Sequence, residues 1–289
     1  KADLNYLNIG QDGRVSLDLE YEHADPLFES ERDIVQAASA PADVGDFRTL
    51  LAETDSIQLG GTLNRIILGD VSATLNGRVQ LNESESGLGL AAGSRPLVRE
   101  SDSRTATLGI ALNGDVRPWR WSFTGTYSDI ASDSVTGRSD SLTPDRSEST
   151  NRTGSAALVM NGPLFAMPAG EVSATVRSGF DTRDFASVAL RGGIGQDRDL
   201  SRDRLSLQAN VDLPLASRSA RVLGAIGNLA VNVNAEIEHF SDFGTLRTLG
   251  AGLNWSPIDA INLGATYTNE DGAPEMNQLG DPLQARRFQ

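Results

Sequence analysis

Apolar and polar side chains alternate along much of the chain. In 119–127 the apolar residues are Trp119, Trp121, Phe123 and Tyr127, and Arg120, Ser122, Thr124 and Thr126 lie between them. A period of two is typical of a β-strand, because successive side chains point to opposite faces. The same alternation recurs in 14–22, 71–81, 205–213, 229–239 and 261–267. The pattern therefore predicts an all-β protein whose strands each have one apolar and one polar face.

The alternating segments predict eleven strands. They cover 13–22, 55–65, 70–82, 101–113, 119–129, 153–161, 170–180, 203–213, 228–240, 245–255 and 260–270. Most have about 9–13 residues, whereas strands of soluble sheets usually have about 5–6. Helical periodicity is nearly absent, and a short helix is predicted only within 30–38.

The predicted connections alternate in length up to position 227. Long connections at 23–54, 83–100, 130–152 and 181–202 alternate with short ones at 66–69, 114–118 and 162–169. Outer-membrane barrels have short periplasmic turns and long extracellular loops. We therefore expect one domain over 1–289, a partial transmembrane antiparallel up-and-down β-barrel.

The aromatic residues agree with this orientation. If 23–54 is extracellular, three tryptophans come near the periplasmic strand ends and three tyrosines near the extracellular ends, all on the apolar face. These predicted membrane-interface aromatics are Trp119, Trp121, Trp255, Tyr21, Tyr127 and Tyr267. A lipid-facing barrel surface has such an aromatic girdle at each interface.

The opposite face is too polar for a dry core. It includes Asp18, Arg78 and Asn232, and dry burial would cost several kcal/mol for each unpaired charge. A water-filled or plugged lumen removes that cost. The pattern alone leaves open a soluble β-sandwich or adhesin with its apolar face inward.

Composition excludes several classes of protein. The 289 residues carry a net charge of −14, contain no cysteine and include a single lysine, Lys1. The negative charge and the lack of a basic stripe argue against nucleic acid as a partner. Without cysteine there is no disulfide, thiolate metal site or cysteine nucleophile. No apolar run approaches the roughly 18 residues of a membrane-spanning helix.

The segment 242–282 reads DFGTLRTLGAGLNWSPIDAINLGATYTNEDGAPEMNQLGDP. It resembles the barrel region of TonB-dependent outer-membrane receptors, particularly a large α-proteobacterial group. The resemblance extends upstream through LGDVSATLNGRVQLN, WRWSFTGTYSD, NGPLFAMPAGEVSATVRSGFDTRDF and VLGAIGNLAVNVNAEIEHFSDFG, and so covers most of the chain.

The resemblance implies a 22-stranded barrel closed by an N-terminal plug. Such receptors import iron chelates, cobalamin, glycans or peptides and are driven by the inner-membrane TonB complex. This sequence shows no plug, no TonB box and about half the strands. Because an open sheet would leave two unpaired edges in lipid, we expect the plug and the remaining strands in another chain or another part of the protein.

The expected function is therefore active uptake of a nutrient by a receptor in the cell outer membrane. Expected partners are the remaining strands and plug, the TonB complex, outer-membrane lipid and lipopolysaccharide, and a ligand that the sequence does not identify. No enzyme activity, cofactor or metal is predicted. The alternatives are a translocation pore, an anchor for a surface protein, or a hydrolase with its site at the barrel rim.

Few residues are candidates for chemistry. The chain has two histidines, His23 and His239, and the hydrolase alternative would draw on His239, Ser241 and Asp242. Five aspartates, at 181, 184, 197, 199 and 203, fall in one predicted long loop. They offer oxygen ligands of the kind calcium takes, but their spacing matches no EF-hand and the interspersed arginines favour a solvated loop.

Local signals predict turns and loops. The Asn113–Gly114 and Asn161–Gly162 dipeptides indicate turns, and Pro257 fits a short periplasmic turn. The segment 132–153 is predicted to be a mobile extracellular loop. Glycines in RGGIGQD, at 191–197, are predicted to give loop flexibility, since no strand-to-helix context supports a phosphate-binding loop.

Overall fold

The chain forms long β-strands joined mainly by tight connections. The computed structural model describes residues 1–11, 13–32, 34, 44–91 and 95–276. The strands are β1 (Ala2–Ile9), β2 (Gly13–Ala24), β3 (Leu27–Phe28), β4 (Thr49–Leu51), β5 (Glu53–Ile67), β6 (Val71–Leu90), β7 (Pro96–Val116), β8 (Trp119–Thr136), β9 (Asp145–Met167), β10 (Gly170–Arg191), β11 (Ile194–Ala216), β12 (Asn228–Phe240), β13 (Gly244–Ile258) and β14 (Ile261–Glu270). Short 3-10 helices occupy Glu29–Glu31, Val44–Phe47 and Gly224–Ile226.

Twelve of these strands form one antiparallel sheet. Its order follows the chain, β1-β2-β5-β6-β7-β8-β9-β10-β11-β12-β13-β14, and β3 pairs with β4 separately. This confirms the prediction of an all-β, antiparallel up-and-down arrangement. Within the described residues β1 and β14 are the two edges of the sheet and do not pair with each other.

The sheet has one strand more than the eleven predicted. The additional strand is β1, whose pairing with β2 places Leu4 opposite Leu19 and Asn5 opposite Asp18. Leu7 and Ile9 then lie on the polar side of the sheet, opposite Ser16 and Arg14. They interrupt the alternation of apolar and polar residues, and for that reason the pattern did not reveal the strand.

The long-loop predictions for 83–100, 130–152 and 181–202 are largely wrong. β6 continues to Leu90, β8 continues to Thr136, and β10 and β11 are separated only by Gly192 and Gly193. These two glycines have φ values of 61° and 79°, as a two-residue primed hairpin turn requires. The main-chain hydrogen bonds between neighbouring strands do not depend on an apolar face. These polar segments therefore remain in strands although they lack the alternating pattern.

Two further local predictions also change. The predicted loop at 132–153 is a connection only over 137–144, with strand on both sides. Of the helix predicted within 30–38, the structure shows the 3-10 helix Glu29–Glu31, and most of that range lies outside the described residues. Pro257 lies next to the last turn, where the β13–β14 register shifts.

Asn113–Gly114 and Asn161–Gly162 are not turns but lie inside β7 and β9. Each glycine lies beneath an indole ring. A Cβ atom added to Gly114 would come within 2.9 Å of the Trp121 ring, and one added to Gly162 within 2.7 Å of the Trp119 ring. The sequence therefore uses glycine here to let a tryptophan cover the neighbouring strand, and the turns fall at 117–118 and 168–169.

The apolar face is the more exposed one on β2, β5, β11, β12 and β13, whereas on the lower parts of β8 and β10 the polar face is the more exposed. On β11, Leu205 and Leu207 are 57% and 51% exposed, whereas Ser206 is buried and Arg204 and Gln208 are half-buried. The same contrast holds on β2, where Leu17 and Leu19 are exposed and Asp18 is half-buried. We call the apolar side of the sheet the outer face and the polar side the inner face. Soluble proteins normally bury the apolar side.

The apolar band runs obliquely across the sheet. Successive cross-strand partners lead from Trp121 on β8 to Met160, Val176, Ala209, Ala235, Leu249 and finally Asn269 on β14. Trp121 lies close to a short turn, whereas Asn269 lies beyond Tyr267 at the opposite margin of the band. If the apolar band lies at one height on every strand, the strands must be tilted and their register must be staggered, as in β-barrels.

Polar side chains on the inner face bond to one another. Thr74 Oγ1 donates to Asn64 Oδ1 at 2.8 Å, and Ser56 Oγ donates to Asn82 Oδ1 at 2.8 Å. By contrast, the buried apolar set is small. Among the described residues it consists of Val44, Ala91, Leu97, Ala169, Val172, Ala174, Ala189, Ala216, Phe240, Leu246 and Met276. The described part of the chain thus has no conventional hydrophobic core.

Candidate functional site

The strand ends away from the short turns carry most of the charged residues. We call the turns at 68–70, 117–118, 168–169 and 259–260 the lower end. We call the segments 82–90, 96–105, 128–136, 145–153, 181–191 and 194–204 the upper sheet. Nearly all the side chains that are candidates for catalysis, metal binding or ligand binding lie in the upper sheet or in the strand ends beside it.

A cleft of about 410 Å³ lies on the inner face of β8–β12. We call it the inner cleft. Its inner-face lining includes Thr126, Ser155, Asp181, Arg183, Arg202, Arg204, Phe240, Glu275 and Met276. The last two residues belong to the segment after β14, which returns across the sheet and buries Met276.

Arg202 links the upper sheet to this returning segment. Its Nε donates to both Asp242 carboxylate oxygens, at 2.9 and 2.8 Å, and its Nη1 donates to the Pro274 carbonyl at 3.0 Å. The guanidinium also lies over the Phe240 ring, 5.5 Å from its centre. Only 14% of the Arg202 side chain is exposed. Among the ion-paired side chains at the cleft, this is the smallest exposed fraction.

Arg204 holds three inner-face strands together. Its Nη2 donates to Asp181 of β10 at 2.7 Å, and its Nη1 donates to Glu238 of β12 at 3.0 Å. These are bonds between charged groups, about twice as strong as neutral ones. Arg204 is therefore occupied by structural partners and is not free to meet a ligand.

Arg183 differs from its neighbours. It lies directly opposite Arg202 in the β10–β11 pairing, and no ion pair or hydrogen bond is assigned to its side chain among the described residues. Asp242 balances the charge of Arg202, but no carboxylate among the described residues is paired with Arg183. Arg183 therefore offers a guanidinium to the inner cleft, whose lining also includes the carboxylates of Asp181 and Glu275 and the apolar side chains of Phe240 and Met276.

The five aspartates predicted to share a loop do not meet. Asp181 is on the inner face with Arg204, while Asp184 is on the outer face, where it accepts a bond from Ser201 Oγ at 2.7 Å. The other three, Asp197, Asp199 and Asp203, lie on β11 with exposed side chains. The prediction of one loop was wrong because the residues belong to two paired strands.

The residues of the hydrolase alternative each bind elsewhere. His239 Nδ1 lies 2.9 Å from Thr245 Oγ1, Ser241 Oγ accepts a bond from the Asp203 amide, and Asp242 pairs with Arg202. The three side chains do not form a relay with one another in the described structure.

The six aromatics lie on the outer face near the margins of the apolar band. Trp119, Trp121 and Trp255 are close to lower turns, and Trp255 Nε1 donates to the Ile226 carbonyl at 2.7 Å. On the upper side Tyr21, Tyr127 and Tyr267 are 42%, 46% and 69% exposed. Their role at a membrane interface stays a prediction.

Hydrogen bonds and ion pairs hold the connection between β8 and β9 in place at the top of the upper sheet. The connection 137–144 contains Arg138, which donates to Asp140 Oδ2 at 2.6 Å and to Asp145 Oδ1 at 3.2 Å. The hydrogen bond from Arg138 lowers the pKa of Asp140. Asp145 also accepts a bond from the Gly192 amide at 2.8 Å, which ties this connection to the β10–β11 turn.

Sequence reading missed the inner cleft as a site. It assigned Arg183, Arg202 and Arg204 to a solvated loop, and nothing in that segment by itself predicts a partner near position 242 or 274. The signal that would have found them is the alternation of charge along 196–204, where arginines occupy the even positions and aspartates the odd ones.

Comparisons with known proteins gave no match, either to a family model or to a curated protein. Within the described residues, no helix is both long and apolar enough to span a membrane. The sheet and the chemistry of its two faces are therefore the features that bear on function.

Proposed function

We propose that the chain is part of the β-barrel of a TonB-dependent outer-membrane receptor that takes up a nutrient ligand. The observation that carries the proposal is the polarity of the sheet. On β2, β5, β11, β12 and β13 the large apolar side chains are on the more exposed face, and the polar side chains are on the less exposed face. Lipid outside and water or a plug inside would satisfy both faces.

The dimensions of the band support the same proposal. On β8 the segment from Trp119 to Tyr127 has the length of the roughly 9–11 residues that a tilted strand needs to cross a bilayer. The oblique register supplies the tilt. Above the band the upper sheet would project from the membrane and form the vestibule that a ligand enters.

The edges of the sheet support additional strands in the complete barrel. Every residue of β1 and of β14 is exposed, and among the described residues each strand has a neighbour on one side only. Unpaired backbone groups are costly in hydrocarbon. In this proposal further strands pair with both edges, and a plug covers the inner face.

The inner cleft is the proposed ligand contact of this chain. Arg183 provides a positive charge without an assigned partner, and Phe240 and Met276 provide an apolar wall. Such a combination suits a ligand with a carboxylate or phosphate beside a non-polar part.

The test compares nutrient uptake in whole cells. A strain lacking the gene and an otherwise identical strain lacking TonB are grown on a panel of single limiting nutrients, and cell fractions are probed for the protein. We expect the protein in the outer-membrane fraction and at least one nutrient that neither strain can use. Arg183→Ala should impair growth on that nutrient at an unchanged protein level, whereas Arg65→Ala, on β5 away from the cleft, should not.

The proposal is wrong if the protein fractionates away from the outer membrane, or if the two strains share no growth defect. Steady ion conductance in a planar bilayer with no shared growth defect would favour the translocation-pore alternative. Activity lost in His239→Ala with folding unchanged would favour the hydrolase alternative.

A further inference from the structure

A mixed group of metal-ligating side chains lies on the outer face, just above Tyr21. Ligand atoms of His23 on β2 and of Glu53 and Asp55 on β5 all lie within 4.8 Å of one another. We propose that these three side chains form a binding site for a divalent transition-metal ion of the zinc type. The site depends only on the β2–β5 pair and stands apart from the proposed uptake function.

The spacing of the ligand atoms suits one shared ion. His23 Nδ1 and Asp55 Oδ1 are 3.0 Å apart. Two ligands in adjacent positions around an ion with bonds of about 2.0–2.2 Å lie roughly 3.0–3.5 Å apart. The Glu53 carboxylate, whose ligand atom lies within 4.8 Å of the other two, completes a three-sided set. Water would supply the remaining positions.

The histidine is oriented as a metal ligand by a second carboxylate. Its other ring nitrogen, Nε2, lies 3.2 Å from Asp25 Oδ1. A proton on Nε2 that is donated to Asp25 leaves the Nδ1 lone pair directed towards Asp55 and Glu53. Ligating histidines typically donate their second ring N–H in this way, which fixes the tautomer and raises the basicity of the ligand.

Asp55 is also positioned from outside the group. Tyr21 Oη donates to Asp55 Oδ1 at 2.7 Å, and so the carboxylate is held facing the imidazole. A hydrogen-bond partner behind a ligand orients that ligand for the ion. Here both His23 and Asp55 have such a partner.

The surrounding charge also favours a cation. In the β5–β6 register Glu53 is directly opposite Glu85, and Asp55 is directly opposite Glu83. Like charges directly opposite each other destabilise a sheet. A bound divalent ion would relieve this repulsion at the two positions where the acids face His23.

The ligand types indicate which ion binds. An imidazole nitrogen suits zinc, copper, nickel and iron, whereas calcium and magnesium take oxygen ligands. We therefore expect Zn²⁺ to bind more tightly than Ca²⁺, with the difference depending on His23.

The experiment uses the full chain in detergent, stripped with a chelator and titrated with zinc chloride by calorimetry. We expect one saturable site, with affinity at least about tenfold lower in His23→Ala and in Glu53→Gln. His239→Ala is the matched control, since His239 lies on the same face with Thr245 as its partner, and its affinity should equal that of the unchanged chain. X-ray absorption of the zinc-loaded protein should show one nitrogen ligand that is lost in His23→Ala.

Glu53→Gln keeps the test decisive if His23→Ala does not fold, because it alters a side chain with no assigned bond in the described residues. Circular dichroism checks the fold of every variant. Zinc affinity unchanged in both variants would overturn the proposal. So would an equal loss in His239→Ala, or calcium binding as tight as zinc, because each would assign the binding to exposed carboxylates in general.

Discussion

The lower and upper parts of the outer face carry opposite chemistry on the same strands. On β12 the lower part presents Val231, Val233 and Ile237, and the next outward residue is His239. On β5 the lower part presents Leu59 and Leu63, whereas the upper part presents Asp55 and Glu53. The inner face shows no such change and is polar along most of its length.

A row of acids marks the upper part most clearly. Five residues on five neighbouring strands are cross-strand partners in sequence, namely Asp55, Glu83, Asp102, Asp133 and Glu148. Such a row is tolerable where water and ions reach it but would be very costly in hydrocarbon. In the proposed membrane arrangement the outer face would pass from lipid to water near the tyrosine row, and this change of solvent is the central claim of the proposal.

The largest effect is expected from a charge placed in the lower part. Val233→Arg, at the centre of the band on β12, should destabilise the protein folded in lipid vesicles by about 2–4 kcal/mol. His239→Arg, on the same face of the same strand but above the band, should cost less than about 1 kcal/mol. Urea titration in vesicles measures both. Equal small effects would place both residues in water, where exposed substitutions usually stay within about 0.5 kcal/mol.

A smaller effect is expected on the inner face of the upper sheet. Arg202→Ala removes a charge that is 14% exposed and leaves Asp242 without its partner, at a cost of about 2 kcal/mol. It should also free the segment 272–276, seen as faster amide exchange there. Arg183→Ala, directly opposite on the same face, should change stability by less than about 0.5 kcal/mol. If Arg183→Ala proves the more damaging change, the assignment of partners is wrong.

The smallest effect concerns pH at the upper edge. The pKa of Asp140 is lowered by Arg138, and a carboxyl group with a lowered folded pKa stabilises above its unfolded value of about 3.9. This contribution is lost as pH falls below about 4 and through the folded pKa. Amide exchange of 137–144 should therefore rise in acid in the unchanged chain and show a weaker pH response in Asp140→Asn. If the pH dependence of amide exchange is the same in the unchanged chain and in Asp140→Asn, Asp140 does not contribute to the stability of this connection.

The general form of the fold could be predicted from the sequence, because alternation reports directly on the two faces of a strand. The segments of all eleven predicted strands are strands in the structure, and the faces of Trp121 and Tyr127 are as predicted. Strand ends could not be predicted in the upper sheet, because polar residues such as those at 145–152 keep their ladder bonds without an apolar pattern. β1 was missed because Leu7 and Ile9 lie on the polar face.

The candidate sites depend on which residues pair between neighbouring strands, and this register cannot be read from the sequence. Arg204 meets Asp181 and Glu238 only because three strands pair in one particular alignment. His23 meets Asp55 for the same reason, 32 residues apart along the chain. The turn predictions at 113–114 and 161–162 were wrong. An Asn–Gly dipeptide looks the same in the sequence whether it forms a turn or lies in a strand with its glycine covered by an indole ring.

The most direct measurement asks which face meets lipid. The chain has no cysteine, so single cysteines can be placed at Leu207 and Gln208, adjacent on β11 and on opposite faces, and spin-labelled in lipid vesicles. The account predicts that the label at 207 is relaxed by oxygen dissolved in lipid and protected from a water-soluble nickel chelate, with the reverse at 208. A label at 207 that the nickel chelate reaches as readily as the label at 208 would contradict it.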